Sequence, residues 1–229
     1  MPGAAGTIPF DLNDRGQLVG ISSTTNPNPS AAADTRGFLR DARGRYTTIS
    51  VPGATQTQAR GINNRGQVVG EYTDTAGRFH GFLWDKGRVV TLDRGPADAV
   101  LCCSALDLND RGQIVAVYLD AAGAIKGVLL DRGHAVTIAA PAIPSTIPTA
   151  INNRGRIVGV TSTGPGQEPH GFLLRGGAGG PFTPIDVPGA PGTSPTGIND
   201  AGVIVGVYTN PNATPSPPAA TPPPMARMA

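Results

Sequence analysis

A short string, Ile/Leu-Asn-Asn/Asp-x-Gly, returns five times along the chain and limits its possible folds more than any other feature. It reads Leu12-Asn13-Asp14-Arg15-Gly16, Ile62-Asn63-Asn64-Arg65-Gly66, Leu108-Asn109-Asp110-Arg111-Gly112, Ile151-Asn152-Asn153-Arg154-Gly155 and Ile198-Asn199-Asp200-Ala201-Gly202. The leading asparagines lie 50, 46, 43 and 47 residues apart, a spacing in the range of propeller blades. A period of that size marks one supersecondary unit that buries its apolar face only by stacking on copies of itself.

Each anchor precedes a short β-branched run: Gln17-Leu18-Val19-Gly20, Gln67-Val68-Val69-Gly70, Gln113-Ile114-Val115-Ala116, Arg156-Ile157-Val158-Gly159 and Val203-Ile204-Val205-Gly206. A third strand follows in four copies, as Gly37-Phe38-Leu39, Gly81-Phe82-Leu83-Trp84, Gly127-Val128-Leu129-Leu130 and Gly171-Phe172-Leu173-Leu174. A tight turn leads to a fourth, such as Tyr46-Thr47-Thr48-Ile49 or Ala135-Val136-Thr137-Ile138. The Asn-Arg-Gly, Asp85-Lys86-Gly87 and Asp131-Arg132-Gly133 turns are hairpin connections, so each unit reads as an antiparallel meander. The longer Val51-Pro52-Gly53-Ala54-Thr55 and Val187-Pro188-Gly189-Ala190 links cross to the next unit.

The expectation is therefore an all-β repeat protein of antiparallel four-stranded units forming a small β-propeller, with four full blades and a two-stranded fifth. A β-prism and an open β-solenoid are the competing arrangements. Units fall near 8–55, 56–101, 102–145, 146–192 and 193–209, and 210–229, rich in Pro and Ala, reads as a disordered tail. With its second strand as the last, the fifth unit offers 203–208 as an open edge through which copies could associate.

Composition agrees with a turn-rich β chain: Gly 32 and Pro 23 in 229 residues, and no long helical window. A net charge of +2 with 15% charged residues, the basic ones scattered, argues against a nucleic-acid partner. No apolar run approaches the roughly 18 residues of a membrane span. Met1-Pro2-Gly3-Ala4 carries none of the features of a signal peptide. The adjacent Cys102 and Cys103 pair only through a strained ring and read as two small thiols.

The strings Gly61 to Gly70, Gly77-Arg78-Phe79-His80-Gly81-Phe82-Leu83 and Ile185-Asp186-Val187-Pro188-Gly189-Ala190 resemble the HAF repeat of bacteria, named for a His-Ala/Gly-Phe tripeptide. Here that tripeptide is His80-Gly81-Phe82 and His170-Gly171-Phe172, while Arg36 and Lys126 replace the histidine in the first and third copies. The resemblance runs from residue 1 to about 209 and implies a β-repeat fold in an extracellular or cell-surface setting. It implies no activity.

Two residue sets are candidates for chemistry. Arg36, His80, Lys126 and His170 hold one third-strand position, and a ring of them could bind an anion or an acidic glycan. That position lies away from a propeller axis, and the plainer reading is four outer side chains. Asp11 and Asp107 share a first-strand position and would lie near the channel, where paired acids could run hydrolysis. They belong to non-adjacent copies, which makes a direct pair doubtful. The Asn-Asx-x-Gly turn lacks the alternating oxygen ligands of a calcium loop, and asparagine's own hydrogen bonding accounts for it. No nucleophile elbow, zinc motif, phosphate loop or dinucleotide fingerprint is present. No metal, cofactor or catalytic residue is expected. The reading is a non-catalytic binding or scaffold module for a glycan or protein ligand, using loops such as 22–35 and 94–104, and the alternative is a glycan-active hydrolase or lyase.

Overall fold

The computed structural model describes residues 1–211, apart from Arg94, Asp98 and Pro165. The segment 212–229, most of the expected tail, lies outside the described residues, as do the side chains of Ala31 and of residues 100–103, Cys102 and Cys103 included.

Strands pair antiparallel in chain order within every unit. The first unit is β1 (Gly6–Leu12), β2 (Leu18–Ser23), β3 (Arg36–Arg40) and β4 (Tyr46–Ile49), and the second β5 (Gln56–Ile62), β6 (Val68–Thr73), β7 (Phe79–Asp85) and β8 (Arg88–Thr91). The third is β9 (Ala99–Leu108), β10 (Ile114–Asp120), β11 (Ile125–Asp131) and β12 (His134–Ile138). The fourth is β13 (Ser145–Ile151), β14 (Ile157–Ser162), β15 (His170–Leu174) and β16 (Phe182–Pro184), and the fifth holds β17 (Thr193–Ile198) and β18 (Ile204–Tyr208). The helical element among the described residues is a single 3-10 turn, Pro29–Ala31. The β7–β8 and β11–β12 turns place Lys86-Gly87 and Arg132-Gly133 at positive φ, the pair of left-handed residues that a two-residue hairpin turn demands.

First strands stand side by side, β1 against β5, β5 against β9, β9 against β13 and β13 against β17. Four sheets thus radiate from a common centre as a four-bladed β-propeller, with the two-stranded sheet following the fourth, and the prism and solenoid are set aside. Residues 99–104, expected to be loop, belong to β9, which follows β10 through three register shifts.

Each core straddles two consecutive units. Val19, Leu39, Ile49 and Val51 of the first pack on Ala59, Ile62, Val68 and Phe82 of the second. Val115, Leu129 and Ile138 of the third meet Ile151, Ile157 and Phe172 of the fourth. Fully burying one such side chain contributes about 2 kcal/mol, and a unit gains that only when a neighbour is present.

The two ends of the array show this by exception. Ile62, Leu108 and Ile151 face the preceding unit and are 4–5% exposed, whereas Leu12 at the same position is 61% exposed. Val19, Val69, Val115 and Val158 face the following unit and are 0% exposed, whereas Val205 is 61% exposed.

Candidate functional site

The five recurring turns meet at one end of the inner strands and border a cavity of about 440 Å³. Local geometry puts them there. In each turn the fifth residue is a glycine at positive φ (Gly16, Gly66, Gly112, Gly155, Gly202), where a side chain would be strained. The leading asparagine closes its own turn: Asn13 Oδ1 accepts from Arg15 N and Gln17 N at 3.0 Å each.

The same asparagines also join the units. Asn13 Nδ2 donates to Asn63 O at 2.9 Å, Asn63 to Asn109 O at 3.2 Å, Asn109 to Asn152 O at 3.1 Å and Asn152 to Asn199 O at 2.9 Å. One buried amide therefore satisfies its own turn and clamps the next one.

The second motif residue builds a parallel ladder at the rim. In chain order it is Asp14, Asn64, Asp110, Asn153, Asp200, an alternation of acceptors and donors. Asn64 Nδ2 donates to both Asp14 Oδ2 (2.8 Å) and Asp110 Oδ2 (3.0 Å). Asn153 Nδ2 bridges Asp110 Oδ2 (2.9 Å) and Asp200 Oδ2 (3.1 Å) in the same way. Backbone N–H groups reinforce it, with Asp14 N donating to Asn64 Oδ1 at 2.8 Å and Asn153 N to Asp200 Oδ1 at 2.8 Å. A carboxylate has no proton to give and an amide has two, so alternation leaves no pair of like groups facing.

Asp11 and Asp107 lie on the floor. Asp11 accepts from Leu12 N (2.8 Å) and from Ile62 N of the next unit (2.7 Å), and Asp107 from Leu108 N (2.7 Å) and Ile151 N (2.8 Å). Although their units are not adjacent, the two carboxylates sense one another. Burial, then the charge of Asp11, pushes the Asp107 carboxyl well above the usual carboxylate range. Burial also raises Asp11, against the pull of its two backbone donors. Gly61 between them explains the approach: a Cβ there would lie 2.9 Å from Asp107 Cα and 3.0 Å from its Oδ1.

Of the two sets proposed from sequence, then, the structure gathers the acids at one site and leaves the basic row dispersed. Arg36 donates to the carbonyls of Thr35 (2.9 Å) and Thr55 (2.8 Å). His80 sits between Asp93 (3.0 Å) and Asp74 (3.2 Å) and stacks on Tyr72. Lys126 lies 4.0 Å from Asp120, and His170 3.3 Å from Asp186. Each is held by groups on its own strand pair or link, and none lines the cavity. In the 22–35 loop, Asp34 binds the hydroxyls of Ser23, Thr24 and Thr25 and fixes the loop's course.

With this geometry in hand, similarity to known proteins is informative at the level of architecture. No family model and no curated protein sequence matches the chain. TolB from Acinetobacter baumannii superposes with a TM-score of 0.60 at 13% identity, over 82% of this chain and 45% of TolB. Puromycin hydrolase, as its S511A mutant complexed with PGG, gives 0.53 at 20% identity, over 85% and 32%. The β-propeller domain of the Trilobed protease from Pyrococcus furiosus gives 0.51 at 11% identity, over 90% and 78%. The chain shares the propeller fold. It spans less than half the length of the TolB it matches, and identities this low carry the architecture alone.

Sequence reading missed the inter-unit roles of the motif asparagines and of the Asp/Asn ladder. The signal was present as the strict alternation at the second motif position, but it has meaning only once the turns are known to be neighbours. A cross-unit network went unnoticed for the same reason: Arg60 binds Glu71 (2.9 Å), which also accepts from the Ser104 hydroxyl, and covers the Phe10 ring at 4.8 Å.

Proposed function

We propose that this chain is a non-catalytic binding propeller whose ligand surface is the mouth formed by the inner-strand turns. The observation that carries the reading is the make-up of that cavity. Its lining includes Asp11, Asp14, Asp107, Asp110 and Asp200, the arginines Arg65, Arg111 and Arg156 lie behind it against the glycines of the following turns, and the ladder holds the rim groups in place before any ligand arrives. The rim carboxylates Asp14, Asp110 and Asp200 are preorganised acceptors of one sign and favour a ligand bringing donors or positive charge, which suits a protein segment with basic or amide side chains better than a neutral glycan. The HAF-repeat resemblance supports an extracellular or cell-surface setting for such a module.

A hydrolase reading has one observation in its favour, the raised carboxyl of Asp107 beside Asp11. Against it, each acid already accepts two backbone N–H groups, one from its own strand and one from the next unit, so these side chains have a structural task.

Arrays of immobilised basic, neutral and acidic peptides and of glycans, run beside chromogenic glycosides, separate the two readings. The binding reading expects retention of basic peptides that weakens as salt rises, weakens again in Asp14→Asn, and comes without turnover. Turnover that disappears in Asp107→Asn would replace it with the hydrolase.

A further inference from the structure

The inner pair β17–β18 carries a groove of about 230 Å³ between the fourth link and the open strand. We propose that this groove accepts a β-hairpin of the repeat's own outer type. A strand reading Gly-Phe-Leu adds antiparallel to β18, with its phenylalanine between Ile185, Val187, Pro195, Ile204 and Tyr208.

The occupant is read from the interface the chain already makes. In the second unit Phe82 is fully buried among Ile49, Val51, Ala59 and Val68, with Tyr72 at the margin. The repeat places Ile185, Val187, Pro195, Ile204 and Tyr208 at those same five positions, and they line the groove. Phe172 fills the corresponding place in the fourth unit, against Ile138 and Ile157. Strand-two glycines admit the ring: a Cβ on Gly70 would lie 3.0 Å from Phe82 Cε1, and one on Gly159 2.7 Å from Phe172 Cζ. Gly206 keeps that glycine at the head of the groove.

The backbone agrees. β14 pairs with β13 on one side and with β15 on the other, setting Gly159 opposite Phe172 and Val158 opposite Leu173. Among the described residues β18 pairs with β17 alone, so its second edge offers the same register, Gly206 opposite Phe and Val205 opposite Leu. An exposed apolar edge strand with no lysine or proline is a pairing template.

Other occupants fit less well. Residues 210–229 contain no glycine and no aromatic residue. In a second copy the Gly-Phe strands are already paired within their own sheets. Packing the fifth unit on the first, within one molecule or head-to-tail between two, would also bring Asp200 against Asp14 and set two acids together in the ladder. A repeat unit with Asn at that place would continue it. The partner is therefore a polypeptide bearing this repeat's outer hairpin.

The test uses the intact chain with a synthetic peptide of its own residues 78–92, and a graft in which a copy of residues 74–92 replaces 210–229. The graft makes the association intramolecular, because linkage raises the effective concentration to the millimolar range or above. Binding of the peptide at least tenfold tighter than its Phe82→Ala form supports the proposal. So does a graft melting roughly 5 °C or more above the parent, with most of that gain lost when the grafted phenylalanine is alanine. Val187→Lys in the intact chain should abolish peptide binding with its own melting point within about 2 °C of the parent. A graft without thermal effect together with no peptide binding overturns the proposal. So do equal effects of phenylalanine and alanine, or β18-mediated dimers of the parent that persist in the graft.

Discussion

An asparagine that closes its own turn and clamps the next is worth more than a surface turn residue, and its place in the array sets how much more. Asn109 satisfies four polar partners from a buried position. Replacing it with alanine strands the Asn152 carbonyl and the turn N–H groups, at roughly 1–3 kcal/mol for such losses. Thermal unfolding of Asn109→Ala should therefore occur roughly 2–12 °C lower. Asn199 closes its turn by accepting from Val203 N, but its amide meets no following carbonyl among the described residues. Asn199→Ala should lose less than half as much, and equal losses would contradict the clamp. The turn itself was legible in the sequence because its hydrogen bonds are local; the clamp was not, because it joins residues 43–50 apart.

Titration follows from the same scale. The raised carboxyl of Asp107 binds a proton more tightly in the folded chain than in the unfolded one. Its contribution is fully present below the unfolded value of 3.8 and is lost as pH rises through the folded one. His80 acts in the same direction: burial opposes its charged form, but Asp93 and Asp74 outweigh burial and raise it. Asp34, Asp41 and Asp74 are lowered by hydrogen bonds, foremost those from Ser23, Arg45 N and Arg78 N, so their contributions disappear as pH falls below the ordinary carboxylate range. Melting temperature should accordingly peak in mildly acidic solution and decline toward pH 8. In Asp11→Ala that alkaline decline should flatten, because Asp107 loses its charged neighbour. An unchanged slope would show that the two acids do not interact.

At the scale of the element, period-2 patterning and turn chemistry made nearly every strand legible. What the sequence misjudged was the start of β9, where Ala99 to Ser104 pair with β10 despite the adjacent cysteines and a Pro-Gly-rich approach. Tertiary pairing overrode local composition there. The repeat also allows one substitution to be compared in two environments. Val69 and Val205 hold the same strand-two position, one fully buried and the other largely exposed. Val69→Asp puts an unpaired carboxylate in the core between the second and third units and should cost more than 3 kcal/mol. Val205→Asp should stay within about 0.5 kcal/mol. A large loss at Val205 in dilute, monomeric protein would show that its face is covered.

For the whole molecule, the radial arrangement could be inferred from a repeat of this period, but the content of its centre could not. A direct Asp11–Asp107 pair was doubtful because their units are not adjacent, and the inner strands bring the two carboxylates within electrostatic reach of one another. Equivalent positions Arg36, His80, Lys126 and His170 recur just as regularly but on third strands, where the units diverge. Recurrence at one repeat position thus yields a site only where the architecture brings the copies together. The central claim is that the acidic mouth, not that basic row, is the ligand surface. Hydrogen–deuterium exchange with a peptide retained on the array measures this directly. Slowed exchange should concentrate in the turns 13–17, 63–67, 109–113, 152–156 and 199–203. Protection confined to 36–40, 79–85, 125–131 and 170–174, with those turns unchanged, would contradict it.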